Sequence, residues 1–527
     1  MHPIAPFALL VLVTTSSAYA APVDPLANAS IADLDARLAA GQVTAESLVA
    51  AYSARIAQLD RAGPQLNSLI ASAPDADNAA RDIDARRKAG LTGPLVGVPI
   101  LLKDNIEAKG AMATTAGSLA LKDNVTGRDA PLVARLRAAG AVILGKTNLS
   151  EWANIRSNHS ISGWSGIGGL VKNPYALDRT ACGSSAGSGA AVAAGLAAAA
   201  IGTETDGSIT CPAAMNGLVG LKPTVGLVSR TYIVPISASQ DTAGPMTRTV
   251  EDAAIVLTAI AGSDPADPAT AEADAHKIDY AAGLRGASLK GKRLGVLKYL
   301  TGNHAATDAL FAAAVAVLRA QGAEVIEIAD YRPPPAMGAD EELVLLTELK
   351  AGLNAYLAST PPAVTTRTLA AVIAFDKASA RETALFGDDA FEGAQATRGL
   401  DDPAYLKAKA DAKRLAGPEG IDKLLAEYQL DALIAPTTAP PWRIDAADGD
   451  HFSHSASGLP AIAGYPHLTV PMGYVKGLPV GLSFIGAAWS EASLLQLGYA
   501  FEQATHARHV PTFMPSVETA AAFAPNR

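Results

Sequence analysis

Residues 190–201 read Ala-Ala-Val-Ala-Ala-Gly-Leu-Ala-Ala-Ala-Ala-Ile, twelve positions without one polar side chain. A helix that is apolar all round has no face to show to water, and this run is too short to cross a bilayer. It therefore predicts a helix at the centre of a large core. The chain has the material for such a core, with 527 residues of which 49% are hydrophobic. Two loops of small residues flank the run. Ala181-Cys182-Gly183-Ser184-Ser185-Ala186-Gly187-Ser188-Gly189 precedes it, and Gly202-Thr203-Glu204-Thr205-Asp206-Gly207-Ser208-Ile209 follows. Glycine and serine at this density let a backbone come close to a ligand and aim N–H groups at it. Tying both loops to one rigid element is a way to hold a reactive geometry.

Around this centre the pattern alternates between strand and helix, which points to an α/β architecture. Asp129 suits a helix N-cap, with Pro131 in the first turn and Leu132, Val133 and Leu136 on one face. Gly140 then stops the helix and Ala141–Leu144 begins a strand. The same grammar recurs in a helix through Leu310, Val315 and Leu318, a stop at Gly322 and a strand over Val325–Ile328. Further strands are expected at Val96–Leu102, Leu294–Leu297, Ala432–Ile434, Leu468–Val470 and Gly481–Ile485. Near the start, Ser30-x-x-Asp33 and Thr44 suit helix N-caps. Residues 263–430 differ in texture, carrying charge runs, Pro333-Pro334-Pro335 and amphipathic helices. They read as a surface elaboration able to shape a cleft, with the core resuming at Asp431.

Composition excludes some functions. A net charge of −9 gives no basic face for phosphates, and 5% aromatic residues give no stacking platform, so nucleic acid is not an expected partner. Residues 1–20 combine the apolar run Pro6–Val13 with the small-x-small ending Ala18-Tyr19-Ala20. That predicts a secretory signal cleaved after Ala20 and a periplasmic or secreted mature chain, residues 21–527, although no Lys or Arg precedes the apolar run. No later stretch reaches the length of a membrane span. Cys182 and Cys211 are too few for a disulfide framework. An oxidising compartment permits one bridge between them, and two small buried thiols are the plainer reading. His451-x-x-His454 and His506-x-x-His509 lack a carboxylate or thiol to complete a metal site, so no metal is expected.

Gly183-Ser184-Ser185-Ala186-Gly187 matches the G-x-S-x-G nucleophile elbow, but an elbow follows a buried strand and Asn173–Thr180 is polar and contains proline. Neither loop carries the Gly-Lys-Ser/Thr of a phosphate loop. A different constellation includes Gly97-Val98-Pro99-Ile100-Leu101-Leu102-Lys103-Asp104-Asn105. A lysine ending an apolar strand ordinarily snorkels to solvent. Beside two serine loops it acquires another meaning, because a lysine desolvated in a cleft loses basicity and can serve as a neutral base.

Lys103 in G-V-P-I-L-L-K-D-N, followed by C-G-S-S-A-G-S-G and G-T-E-T-D-G-S-I-T-C-P-A, resembles the amidase-signature family. The serine separation, 208 − 184 = 24, agrees with that pattern. Lys146-Thr147-Asn148-Leu149-Ser150-Glu151, Gly220–Thr224, Asp241–Pro245 and the run from Gly464 to Leu482 extend the match from about Ser30 to Gln503, with a gap in the middle segment. The resemblance implies one α/β domain with a large mixed sheet sandwiched between helices. Its core would cover about 30–262 and 431–510, with 263–430 as a variable, substrate-shaping segment. Ser208 is then the nucleophile, Ser184 the bridge to Lys103 with a cis peptide bond to Ser185, and Lys103 the base. Backbone N–H groups around Thr205, Asp206 and Gly207 hold the oxyanion, and no metal or other cofactor is needed.

Asp206 departs from the family pattern, which has a glycine there. Aspartate tolerates left-handed backbone angles, yet its charge suits an oxyanion turn only if it points away or binds an N–H. Thr-Glu-Thr-Asp-Gly-Ser is similar to bacterial peptide amidases, which remove the C-terminal carboxamide of peptides and release ammonia. The expected substrate is thus a small-molecule or peptide amide, with no obligate protein partner. The alternatives are a general aliphatic or aromatic amide hydrolase, the amide-hydrolysing subunit of a glutamine-dependent aminoacyl-tRNA amidotransferase, and an inactive binding scaffold of the same fold.

Overall fold

The computed structural model describes residue 26 and residues 28–519; the expected export signal, residues 1–20, lies outside the described residues. The apolar runs become strands β1 (Leu69–Ser72), β2 (Pro99–Lys103) and β3 (Val142–Thr147), a short ribbon of β4 (Trp164–Ser165) and β5 (Gly169–Leu170), then β6 (Ala199–Glu204), β7 (Val219–Lys222) and β8 (Thr242–Thr247). The later strands are β9 (Arg293–Leu297), β10 (Glu324–Ile328), β11 (Ala432–Pro436), β12 (His467–Val475) and β13 (Leu478–Ile485). Eleven of them form one sheet in the order β1-β3-β2-β6-β8-β7-β12-β13-β11-β9-β10. It is mixed: β2 runs parallel to β3 and β6, and β9 parallel to β10 and β11, while the pairs between are antiparallel.

Every residue of β2, β3, β6, β7, β8, β11 and β13 is buried. Strands covered on both faces have no use for polar alternation, and so they read as continuous apolar runs. The edge strand β10 keeps Glu324 and Glu327 exposed, and charge on an edge discourages pairing with another chain. Helices flank the sheet. Ser30 and Thr44 each close a capping box, accepting from the N–H of Asp33 and Ser47 at 3.0 Å in both cases.

Three expectations need correction. Residues 190–201 are not one helix: a helix covers Ala186–Ala193, and β6 begins at Ala199. Gly195 turns the chain with φ +70°, and a strand with both faces covered is as free of polar residues as a central helix, so composition alone cannot separate the two. Asp129 does not cap its helix. The cap is Ala130, and the Asp129 carboxylate accepts from Lys109 N at 2.7 Å and pairs with Arg137 at 3.3 Å. Standing one residue before the cap, it holds the neighbouring loop instead. Finally, the segment 263–430 is more than a surface elaboration, because β9 and β10 extend the main sheet. Its helix Ala336–Ala358 packs Leu349, Leu353 and Leu357 against Trp152 and Val234.

Candidate active site

Parallel pairing brings the carboxyl ends of β2 and β6 side by side, with Ile100 opposite Ala199 and Leu102 opposite Ile201. Lys103 ends one strand, and Thr203 and Glu204 end the other. Carboxyl ends of parallel strands are where open α/β sheets collect their ligand sites. Lys103 is fully buried, and its Nζ donates to Ser184 Oγ at 2.7 Å, Thr203 Oγ1 at 2.8 Å and the Thr203 carbonyl at 3.2 Å. Asn105 Nδ2 donates to the same Thr203 hydroxyl at 3.0 Å. Burial brings the Lys103 pKa down from 10.5 to about 7, against the opposing pull of Asp241 and Glu204.

Ser184 stands in the loop before the helix Ala186–Ala193, and its carbonyl accepts from Ser150 N at 3.0 Å. The cis peptide bond lies between Gly183 and Ser184, one residue earlier than the expected Ser184–Ser185 bond. Ser185 joins this loop to its neighbours: its N–H donates to the Ser208 carbonyl at 3.1 Å, and its hydroxyl donates to the Thr203 carbonyl at 3.1 Å.

Glu204 shapes the second loop. Its Oε2 accepts from Ile209 N at 2.7 Å, Thr210 N at 2.9 Å and Thr210 Oγ1 at 3.2 Å, so the strand end reaches across the turn that carries Ser208. Gly207 turns with φ +78°, and a Cβ there would lie 3.1 Å from Ser457 Oγ. Thr205 Oγ1 donates to Asp241 Oδ1 at 2.6 Å, and Asp241 Oδ2 accepts from Ile236 N and Ser237 N. Among the described residues, no acceptor is found for the backbone N–H groups of Asp206, Gly207 and Ser208. Successive N–H groups of this kind form a concavity suited to an anion.

Ser184 and the stretch Thr205–Ser208 line one open cavity of about 580 Å³. The structure thus joins Lys103 to Ser184 directly and brings Ser208 to the same wall, with no hydrogen bond between the two serine hydroxyls. Asn154, Ser157, Asn158, Ser160, Ser162 and Asp450 add polar lining, while Ile155, Ile236, Leu345 and Phe452 add apolar lining. Asp206 is exposed to the cavity on this wall; the protein around it raises its carboxyl above the usual range, Ser457 and Lys222 pull it down, and Glu204 pushes it up. Glu341, which accepts from Gln240 Nε2 at 2.8 Å, is raised to about 8 by burial and by Asp206. Cys182 and Cys211 also line the cavity and are joined by a disulfide, in place of two buried thiols.

Thr203, Asn105, Glu204 and Asp241 have no individual role that the sequence alone assigns. Thr203 and Glu204 lie in the second small-residue loop and Asn105 two positions past Lys103. What the sequence lacks is the pairing of β2 with β6, which converts two distant stretches into neighbours.

The family model for amidases matches residues 47–495. The chain is 53% identical to the native peptide amidase from Stenotrophomonas maltophilia, over 92% of this chain and 99% of that one, with a TM-score of 0.87. A peptide amidase in complex with the competitive inhibitor chymostatin is 54% identical over the same shares, with a TM-score of 0.89. Among curated sequences, a glutamyl-tRNA(Gln) amidotransferase subunit of Roseiflexus castenholzii is 38% identical over 91% of this chain and 96% of its own length.

Proposed function

We propose that this chain, which belongs to the amidase family, hydrolyses the C-terminal carboxamide of peptides through Ser208, Ser184 and Lys103. The observation that carries the reading is a fully buried lysine amine 2.7 Å from the Ser184 hydroxyl, behind a cavity that Ser208 lines. An alcohol is a poor nucleophile until a base takes its proton. In its neutral form the Lys103 amine offers a lone pair to Ser184, and Ser184 in turn takes the proton of Ser208 as Ser208 attacks the carbonyl. The N–H groups of the turn from Thr205 through Asp206 and Gly207 to Ser208 stabilise the oxyanion. The Lys103 ammonium then returns its proton through Ser184 to the amide nitrogen, which leaves as ammonia as its bond to carbon breaks, and water releases the acyl group by the same route.

The peptide-amide substrate is supported by likeness to the two peptide amidase structures and by a polar-walled cavity within the size range of small-ligand sites. Export is the other half of the proposal, supported by the pattern of residues 1–20 and by a disulfide, a bond that persists in oxidising compartments. The test measures ammonia released from a blocked dipeptide amide, from glutamine and from a simple aromatic amide. Preference for the dipeptide amide is expected. Activity on glutamine alone would reject it in favour of an amidotransferase-type enzyme. A mature protein that begins at Met1 rather than Ala21 would reject export.

A further inference from the structure

Ser184 and Ser208 belong to different loops, one before the helix Ala186–Ala193 and one before the helix Thr210–Met215. A proton relay needs their hydroxyls held at a fixed separation, and displacements of an ångström are costly. Hydrogen bonds join the loops, from Ser185 N to the Ser208 carbonyl, between Ser185 Oγ and the N–H and carbonyl of Thr203, and from Asn216 Nδ2 to the Ala181 carbonyl, and each such bond alone is a weak restraint. One further tie is covalent. Cys182 stands two residues before Ser184 and Cys211 three after Ser208, and the disulfide sets their Cα atoms 6.1 Å apart.

Both cysteines are anchored to the loops they join. Cys182 N donates to Thr180 Oγ1 at 2.9 Å, and Cys182 holds φ +56°, a left-handed angle that side-chain-bearing residues enter at a cost. Cys211 N donates to the Gly207 carbonyl at 2.8 Å, inside the turn that carries Ser208. Met215 and Trp442 pack around the pair, and both cysteines border the cavity that a substrate enters. We propose that Cys182 and Cys211 are positioning residues, whose bond sets the spacing of the two serines and makes turnover conditional on oxidising surroundings. The proposal rests on Ser208 acting as the nucleophile.

A dithiol entering from the cavity opens the bond by exchange. Its thiolate attacks one cysteine sulfur to give a mixed disulfide, and its second thiol closes the reductant's own disulfide. Two electrons and two protons thereby end on the Cys182 and Cys211 thiols. Sulfurs no longer bonded move apart to van der Waals separation and carry the two loops with them.

The experiment treats the full-length mature enzyme with dithiothreitol, confirms two free thiols by titration, and follows kcat, KM, near-ultraviolet circular dichroism and the rate at which a fluorophosphonate labels Ser208. The reduced enzyme is expected to keep its fold and to lose kcat by roughly 10- to 100-fold, with KM changed by less than about threefold and labelling slowed in step. Reoxidation with oxidised glutathione should restore it. The double variant Cys182→Ser with Cys211→Ser should show the low kcat with or without reductant; if that variant does not fold, the reduced wild-type enzyme decides. A reduced, folded enzyme that turns over and labels within about twofold of the oxidised one overturns the proposal, as does a loss of activity that follows a loss of the dichroism signal. An oxidised enzyme that the fluorophosphonate never labels overturns the nucleophile assignment along with it.

Discussion

Two lysines on adjacent strands have opposite fates. Lys103 ends β2 and Lys146 lies on its parallel neighbour β3, and neither has any solvent exposure. Burial lowers the pKa of both. Lys146, however, donates to the Asp104 carboxylate and to Thr114 Oγ1, each at 3.0 Å, inside a fully buried ion pair. Lys103 meets only hydroxyls and a carbonyl, and the nearest carboxylates act on it from a distance. An ion pair keeps a buried ammonium charged, whereas neutral partners leave desolvation to remove the charge. Sequence neighbourhood cannot make this distinction: both lysines end or follow apolar runs, and Asp104 stands directly after Lys103 yet pairs with the other strand.

The comparison breaks most visibly if the two residues are truncated to methionine. Lys103→Met is expected to cut kcat roughly 10²- to 10⁴-fold, the scale of a lost general base, with an unchanged or higher thermal midpoint because an amine without a countercharge has been replaced by an apolar chain. Lys146→Met should do the reverse. It strands the Asp104 carboxylate in the core, a change that costs about 3–5 kcal/mol of stability when one half of a buried pair is removed, while the folded fraction keeps most of its turnover. Differential scanning calorimetry beside steady-state kinetics reads both. If Lys103→Met were the less stable variant and Lys146→Met the inactive one, the roles would have to be exchanged.

The two lysines also mark how far the sequence was legible. The motif around Lys103 and both serines stood out because small residues at that density have few structural uses, and the continuous apolar strands announced a sheet covered on both faces. Alanine-rich residues 190–201 misled, since alanine serves a buried helix and a buried strand equally well. The Cys182–Cys211 bond was undecidable, because a 29-residue separation says nothing about whether two loops converge. Glu204 was hidden differently. The sequence assigns this glutamate no role, and only the fold shows it bonded to the N–H groups of Ile209 and Thr210.

The pH profile gives a smaller but sharper test. A neutral base at about 7 requires kcat/KM to rise about tenfold per pH unit below 7 and to level off above it. Asp206 and Glu341 are also raised above the usual carboxylate range, Glu341 in part by Asp206, so the limb alone does not identify its owner. Charge removal does. Asp241 favours the Lys103 ammonium. Asp241→Asn should therefore lower the lysine pKa and move the acid limb to lower pH, by about half a unit to one unit for a neighbouring charge of this kind. Asp206→Asn removes a charge that does not act on Lys103 and should leave the limb in place. A limb that ignored Asp241 and followed Asp206 would put the titrating group on the cavity wall. Lys103 would then not be the titrating base, and the difference between its partners and those of Lys146 would no longer account for the chemistry.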